Sequence, residues 1–85
     1  MSYTVVLTNP AKKQIRKLPR SVQEQIIFML EGLSEDPRPY HSTKLVGHQT
    51  AWRIKVGQYR VIYDIFDAEL VVSVVRAAHR REVYR

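Results

Sequence analysis

The 85-residue chain has no cysteine, so it can form neither a disulfide framework nor a thiolate metal site, and its stability must come from one small apolar core. No stretch approaches the roughly 18 consecutive apolar residues of a membrane-spanning helix. Glycine is scarce, three residues in all, and a Gly-rich phosphate loop, a G-x-S-x-G elbow and a Cys or Ser triad are missing. His41 and His48 lie in a loop, His79 is remote from both, and no carboxylate pair has ligand spacing, so no metal centre and no cofactor are expected. Met1 to Val6 lack the basic and long apolar segments of an export signal, which makes the cytoplasm the expected compartment.

Acidic residues are also few. Eight Asp and Glu stand against 14 Lys and Arg, a net charge of +6 that suits a polyanion such as nucleic acid, or an acidic protein. The charge is segregated: residues 1–20 carry only cations, residues 21–42 are acidic apart from Arg38, and residues 43–85 are again basic. A solvated helix face explains the first basic region without any function. With 45% apolar and 26% charged residues, neither a disordered nor a collagen-like chain fits, and one domain over 1–85 is expected.

Tyr3, Val5 and Leu7 alternate with Thr4, Val6 and Thr8, the period of a first strand. Asn9 as N-cap and Pro10 at the first helical position predict a helix to about Leu18, stopped by Pro19. Ser21-Val22-Gln23-Glu24 reads as a capping box opening a second helix to about Glu35, with Val22, Ile26, Leu30 and Leu33 on one face. Asp36-Pro37-Arg38-Pro39 ends it, and residues 36–43 are expected as loop. Strands follow at about 50–56, 59–66 and 69–77, joined at Gly57-Gln58 and Asp67-Ala68. The expected fold class is α+β, βααβββ, with a helix hairpin packed on one face of a small antiparallel sheet.

The run from Trp52 to Asp64 constrains its own register. A two-residue turn of type II′ at Gly57-Gln58 pairs Val56 with Tyr59 and therefore Lys55 with Arg60. Trp52, Ile54, Val56, Tyr59, Val61, Tyr63 and Ile65 then share an apolar side, and Arg53, Lys55 and Arg60 gather on the other. A three-residue loop would drive Arg60 into the apolar side. Lys55 opposite Arg60 is a like-charge pair, unfavourable by up to about 1 kcal/mol, with Arg53 about 6.6 Å along the strand. One reading is neutralisation by Asp64 and Glu82. The other is a site for phosphate, with arginine forking bidentately and lysine acting as a point charge. His79, Arg80, Arg81 and Tyr84 follow the last strand and add an imidazole, two guanidinium groups and a phenol; each also fits an ordinary surface or packing role.

At these residues the sequence resembles the RelE/ParE superfamily of bacterial toxins, on its RelE-like branch. The resemblance runs from the Tyr3 strand and the Ala11-Lys12-Lys13 to Pro19 helix through Lys44-Leu45-Val46-Gly47. It is sharpest in Trp52 to Asp64 and in His79-Arg80-Arg81-Glu82-Val83-Tyr84. It implies a metal-independent endoribonuclease that enters the ribosomal A site and cuts mRNA there, halting translation. The RNA's own 2′-hydroxyl attacks the adjacent phosphate, leaving a 2′,3′-cyclic phosphate and a 5′-hydroxyl. Lys55, Arg60, Arg80, Tyr84 and His79 are the implied catalytic set, with Arg53, Arg81 and Lys44 as RNA-binding residues.

Arg53 stands where the family often has Lys, and an arginine stays protonated, so it binds phosphate without serving as a base. Arg81 is the alternative to Arg80, and His79 the alternative to Lys55 for moving protons. An ordinary lysine is deprotonated in only about one molecule in a thousand near neutrality, so electrostatic stabilisation of the phosphorane by Arg60 and Arg80 is expected to dominate. The implied partners are mRNA, the ribosome and a cognate acidic, partly helical antitoxin, bound as a hetero-oligomer, with no membrane. Two other functions compete: a ParE-like gyrase inhibitor, and a non-catalytic nucleic-acid-binding module.

Overall fold

A computed structural model describes residues 2–83. The N-terminal alternation becomes β1 (Thr4–Leu7), whose Val5 and Leu7 lean on the core while Thr4 and Val6 face out. Helix α1 (Asn9–Arg16) follows, but its N-cap is Thr8, not Asn9: Thr8 Oγ1 accepts the Ala11 amide at 3.3 Å. Thr8 keeps the extended backbone of the strand and carries the hydroxyl, so it meets both requirements of a cap. Ala11 and Ile15, four apart, are the buried face.

Helix α2 (Arg20–Glu35) begins two residues earlier than the capping-box reading, with Pro19 rather than Ser21 at the N-cap position, and no side chain caps it. Gln23 is turned the other way. Its Nε2 donates to the carbonyls of Leu18 at 2.8 Å and Arg16 at 3.2 Å, closing the end of α1 instead. Ile26, Leu30 and Leu33 form the buried stripe of α2, each contributing about 1.5–3 kcal/mol through burial.

Five strands form one sheet in the order β1-β5-β4-β3-β2. β2 (Ser42–Lys44) is a three-residue edge strand inside the segment expected as loop and its continuation, and it is too short to show a period. β3 (Ala51–Val56), β4 (Tyr59–Phe66) and β5 (Val71–His79) are the antiparallel centre. The first strand departs from the all-antiparallel expectation: β1 pairs parallel with β5, Val5 opposite Val72, because the chain reaches the far edge through the two helices rather than a hairpin. The turn into β5 also runs longer than expected, through Leu70, which holds φ 54°.

Both helices cover one face. Beneath them Ile54, Val61, Tyr63, Val72 and Val74 are fully enclosed, and the Tyr63 hydroxyl donates to the Pro37 carbonyl at 2.9 Å, so the largest core side chain leaves no unsatisfied polar atom. Burial pushes the Tyr63 phenol above its ordinary value. At one end of the sheet Asp67 takes a forked contact from Arg38, at 2.7 and 3.1 Å, and a hydrogen bond from the Tyr3 hydroxyl at 2.7 Å. Arg38 also lies over the Trp52 ring at 5.4 Å. The face away from the helices carries the candidate site.

Candidate nucleic-acid interface

Gly57 and Gln58 form the two-residue turn, with Gly57 at φ 58°, and the register is that of the sequence reading: Val56 opposite Tyr59, Lys55 opposite Arg60. Ile54, Val56, Val61, Tyr63 and Ile65 are buried beneath the helices. Lys55, Arg60 and Arg53 therefore lie on the open face, Lys55 exposed and the two arginines half-buried. The Arg60 guanidinium folds back over the turn and donates from one nitrogen to the carbonyls of Gly57 at 3.1 Å and Tyr59 at 2.9 Å. That leaves its remaining N–H groups for a ligand.

Among the described residues the ion pairs are Arg20–Glu24 and Arg38–Asp67, and neither involves Lys55, Arg60, Arg80 or Arg81. Asp64, one of the two acids that the competing reading offered to neutralise this face, accepts the Thr50 hydroxyl at 2.9 Å. Carboxylates that approached these cations would weaken their hold on phosphate. Among the described residues no carboxylate pairs with Lys55 or Arg60 to offset the repulsion between them.

The C-terminal residues divide. Arg80 donates its amide to the Gln58 carbonyl at 2.8 Å, which sets it beside the turn between β3 and β4, at the same end of the sheet as Lys55 and Arg60. Arg81 is exposed in the following turn, its amide bonded to His79 Nδ1 at 3.2 Å. His79 itself is the register partner of Tyr59, with the two rings edge to face at 5.4 Å, and belongs to the helix side of the sheet. With Nδ1 accepting, the neutral ring carries its proton on Nε2. The sheet thus separates His79 from the Lys55–Arg60 pair, and the structure does not bring these expected catalytic residues together.

Lys44 is not on the face either. It stands opposite Trp52, on the helix side, and its Nζ donates to the carbonyls of His48 at 3.1 Å and Gln49 at 2.9 Å, closing the 45–50 loop. A flexible lysine finds two orphan carbonyls nearer than any solvent-borne phosphate. Tyr84, the remaining expected site residue, lies outside the described residues.

Residues 5–84 match the model of the ParE toxin of type II toxin-antitoxin systems, parDE. The chain belongs to the RelE/ParE superfamily of toxins. Its relatives are RelE-like. It is 33% identical over 90 residues to Toxin RelG of Mycobacterium tuberculosis, across 100% of this chain and 99% of that protein. It is 34% identical over 88 residues to the mRNA interferase toxin RelE of Escherichia coli, across 99% of this chain and 92% of that one. The intact E. coli RelBE toxin-antitoxin complex contains a chain of the same fold, TM-score 0.82 at 31% identity, covering 92% of this chain and 96% of that chain. The archaeal RelE–RelB complex of Pyrococcus horikoshii matches with TM-score 0.85 at 24% identity, over 96% and 99% of the two chains, and speaks to the fold alone.

This RelE-like toxin holds one cation on its open face that the sequence reading passed over. Arg76 stands in the same cross-strand row as Arg53, with Ile62 between them. Alternation from Val72 and Val74, both buried, would place residue 76 in the core. The register shifts between Ile62, opposite Arg76, and Tyr63, opposite Val74, leaving Val75 as an extra residue that turns Arg76 outward. A lone arginine in an apolar strand was the available signal.

Proposed function

We propose that this toxin is a ribosome-dependent, metal-independent mRNA endoribonuclease that cuts the message in the A site and stops translation. The observation that carries this reading is the Lys55–Arg60 cross-strand pair on the open face, with Arg53 one pleat away and, among the described residues, no carboxylate paired to Lys55 or Arg60. Such an arrangement is unfavourable in the free protein and becomes favourable when phosphate oxygens enter it.

In the reaction, the 2′-oxygen of the scissile nucleotide loses its proton and bonds to the adjacent phosphorus. The bond from phosphorus to the 5′-oxygen breaks, and that oxygen gains a proton. The products are a 2′,3′-cyclic phosphate and a 5′-hydroxyl. Arg60 and Arg80 stabilise the charge on the pentavalent phosphorus, Arg53 and Arg81 hold neighbouring phosphates, and Tyr84 orients the scissile nucleotide. Proton transfer is assigned to Lys55 rather than His79, because Lys55 shares a face with Arg60 and His79 stacks against Tyr59 on the other side. A cognate acidic antitoxin restrains the activity, in keeping with the toxin-antitoxin complexes among the solved relatives.

The deciding experiment maps cuts on messages programmed into ribosomes and analyses the 3′ ends. Cleavage at the A-site codon with cyclic phosphate ends is the expected result. Intact message together with loss of gyrase supercoiling would favour a ParE-like gyrase inhibitor. Binding without cleavage would favour a nucleic-acid-binding module.

A further inference from the structure

Arg76 is a half-buried cation of the open face whose guanidinium is spent on the backbone of the C-terminal turn. Its Nε donates to the Val83 carbonyl at 2.8 Å and one terminal nitrogen donates to the Glu82 carbonyl at 2.8 Å. These two bonds draw the C-terminal turn back toward β5. The turn is further closed by the amides of Glu82 and Val83, which donate to the His79 carbonyl at 2.8 and 3.1 Å. Val83 is 3% exposed and stands outside the cluster beneath the helices, as does Ile62, the neighbour of Arg76 in its row.

We propose that Arg76 is a positioning residue: a clasp that fixes the turn carrying Arg80 and Arg81, and the peptide leading on to Tyr84, against the face that holds Lys55 and Arg60. This rests on the ribonuclease reading. Without the clasp the turn depends on the Arg81, Glu82 and Val83 amides bonded to His79, on the Arg80 amide at Gln58 and on the burial of Val83, and a single helical turn is not stable alone. The bulge at Val75 is the device that aims Arg76 at these carbonyls, in keeping with the habit of bulges to re-aim side chains beside sites. A guanidinium fits the task because its rigid fork reaches two successive carbonyls at once, whereas an ammonium reaches them one at a time or at a poorer angle. Misplacing a group by about 1 Å costs on the order of 100-fold in rate, with little effect on binding contributed by the rest of the face.

The test combines amide hydrogen exchange with single-turnover cleavage on programmed ribosomes, for the wild type, Arg76→Ala and Arg76→Lys. In Arg76→Ala the amides of Arg80, Glu82 and Val83 are expected to exchange at least ~10-fold faster while core amides such as Val61 and Val72 keep their protection. The cleavage rate at saturation is expected to fall ~100-fold with half-saturation within ~3-fold. Arg76→Lys is expected to recover part of both, and it decides the matter if the alanine variant does not fold. Unchanged exchange in the turn overturns the clasp, and faster exchange with unchanged cleavage overturns the positioning role. A wild-type protein that cuts no message overturns instead the ribonuclease reading beneath it.

Discussion

Lys55 and Arg60 are direct cross-strand partners on the solvent side of the sheet, and the carboxylate nearest in the pattern, Asp64, is engaged by Thr50. Two like charges held in register cost the free protein stability that an anionic ligand returns. Lys55→Thr, which keeps a good strand residue, is therefore expected to raise the unfolding free energy by about 0.2–1 kcal/mol, read from the urea midpoint. The same variant is expected to cut message far more slowly. Arg60→Ala is expected to lower the cleavage rate by about 100- to 1,000-fold, the usual loss when a charge-stabilising donor is removed. A less stable Lys55→Thr protein with full activity would contradict both halves of the argument.

Asp67 gathers Tyr3 and Arg38 at the other end of the sheet, away from the cations. The hydrogen bonds from Arg38 and then from Tyr3 hold its carboxyl below the ordinary aspartate value, and the same contacts raise the Tyr3 phenol and the Arg38 guanidinium. A carboxyl depressed on folding contributes stability that is complete above its unfolded value, near pH 4, and is lost as the pH falls through the folded value. The expected outcome is a urea midpoint that drops on acidification below about pH 4 in the wild type, and a shallower drop in Asp67→Asn. At neutral pH that variant is the less stable of the two, and the difference closes in acid.

The alternation in β3 and β4, locked by the Gly57 turn, was legible because an error of one residue would have buried Arg60. Burial energy and charge desolvation both select the observed register. The far side of β5 was not legible: Val71 to Val75 are apolar apart from Ser73, and nothing after Ser73 marks where Val75 slips out of step. Arg76 went unassigned for that reason, and His79 was grouped with Arg80 although an intact strand alternates them. Lys44 was misplaced through a related gap. The edge strand Ser42–Lys44 is defined by pairing with β3, a long-range contact, so its facing had no local signature. At the helix starts the right chemistry was visible, but Thr8 and Asn9 are both good caps, and choosing between them depended on where β1 lets go.

Tyr63 joins the sheet to the loop after α2 through its hydrogen bond to the Pro37 carbonyl. Tyr63→Phe leaves that carbonyl without its partner inside the core, and about 1–3 kcal/mol of stability is expected to be lost. The phenol is raised on folding by burial, so its contribution is complete below the unfolded value near pH 10 and disappears as the pH rises further. Equilibrium unfolding across pH 9–11 tests this: wild type is expected to weaken through that range, and Tyr63→Phe to show less of the alkaline decline. Parallel decline in both proteins would assign the alkaline sensitivity to other groups.

Gly57 sets the geometry on which the site depends, since its φ of 58° lies where a side chain is strained and its carbonyl accepts from Arg60. Gly57→Val places a β-branched residue in the left-handed region, at a cost of about 1–3 kcal/mol. Open space surrounds the position, so the strain is conformational rather than a clash. The chain can relieve it by opening the turn, and that would loosen the Lys55–Arg60 register and the Gln58 carbonyl that receives the Arg80 amide. Gly57→Asn is the informative companion, because asparagine tolerates a positive φ at lower cost. Cleavage is therefore expected to fall steeply in Gly57→Val and to survive largely in Gly57→Asn, with stability following the same order in urea. Equal loss of activity in both variants, with stability kept in Gly57→Asn, would show that the glycine serves close approach of the RNA backbone rather than the turn.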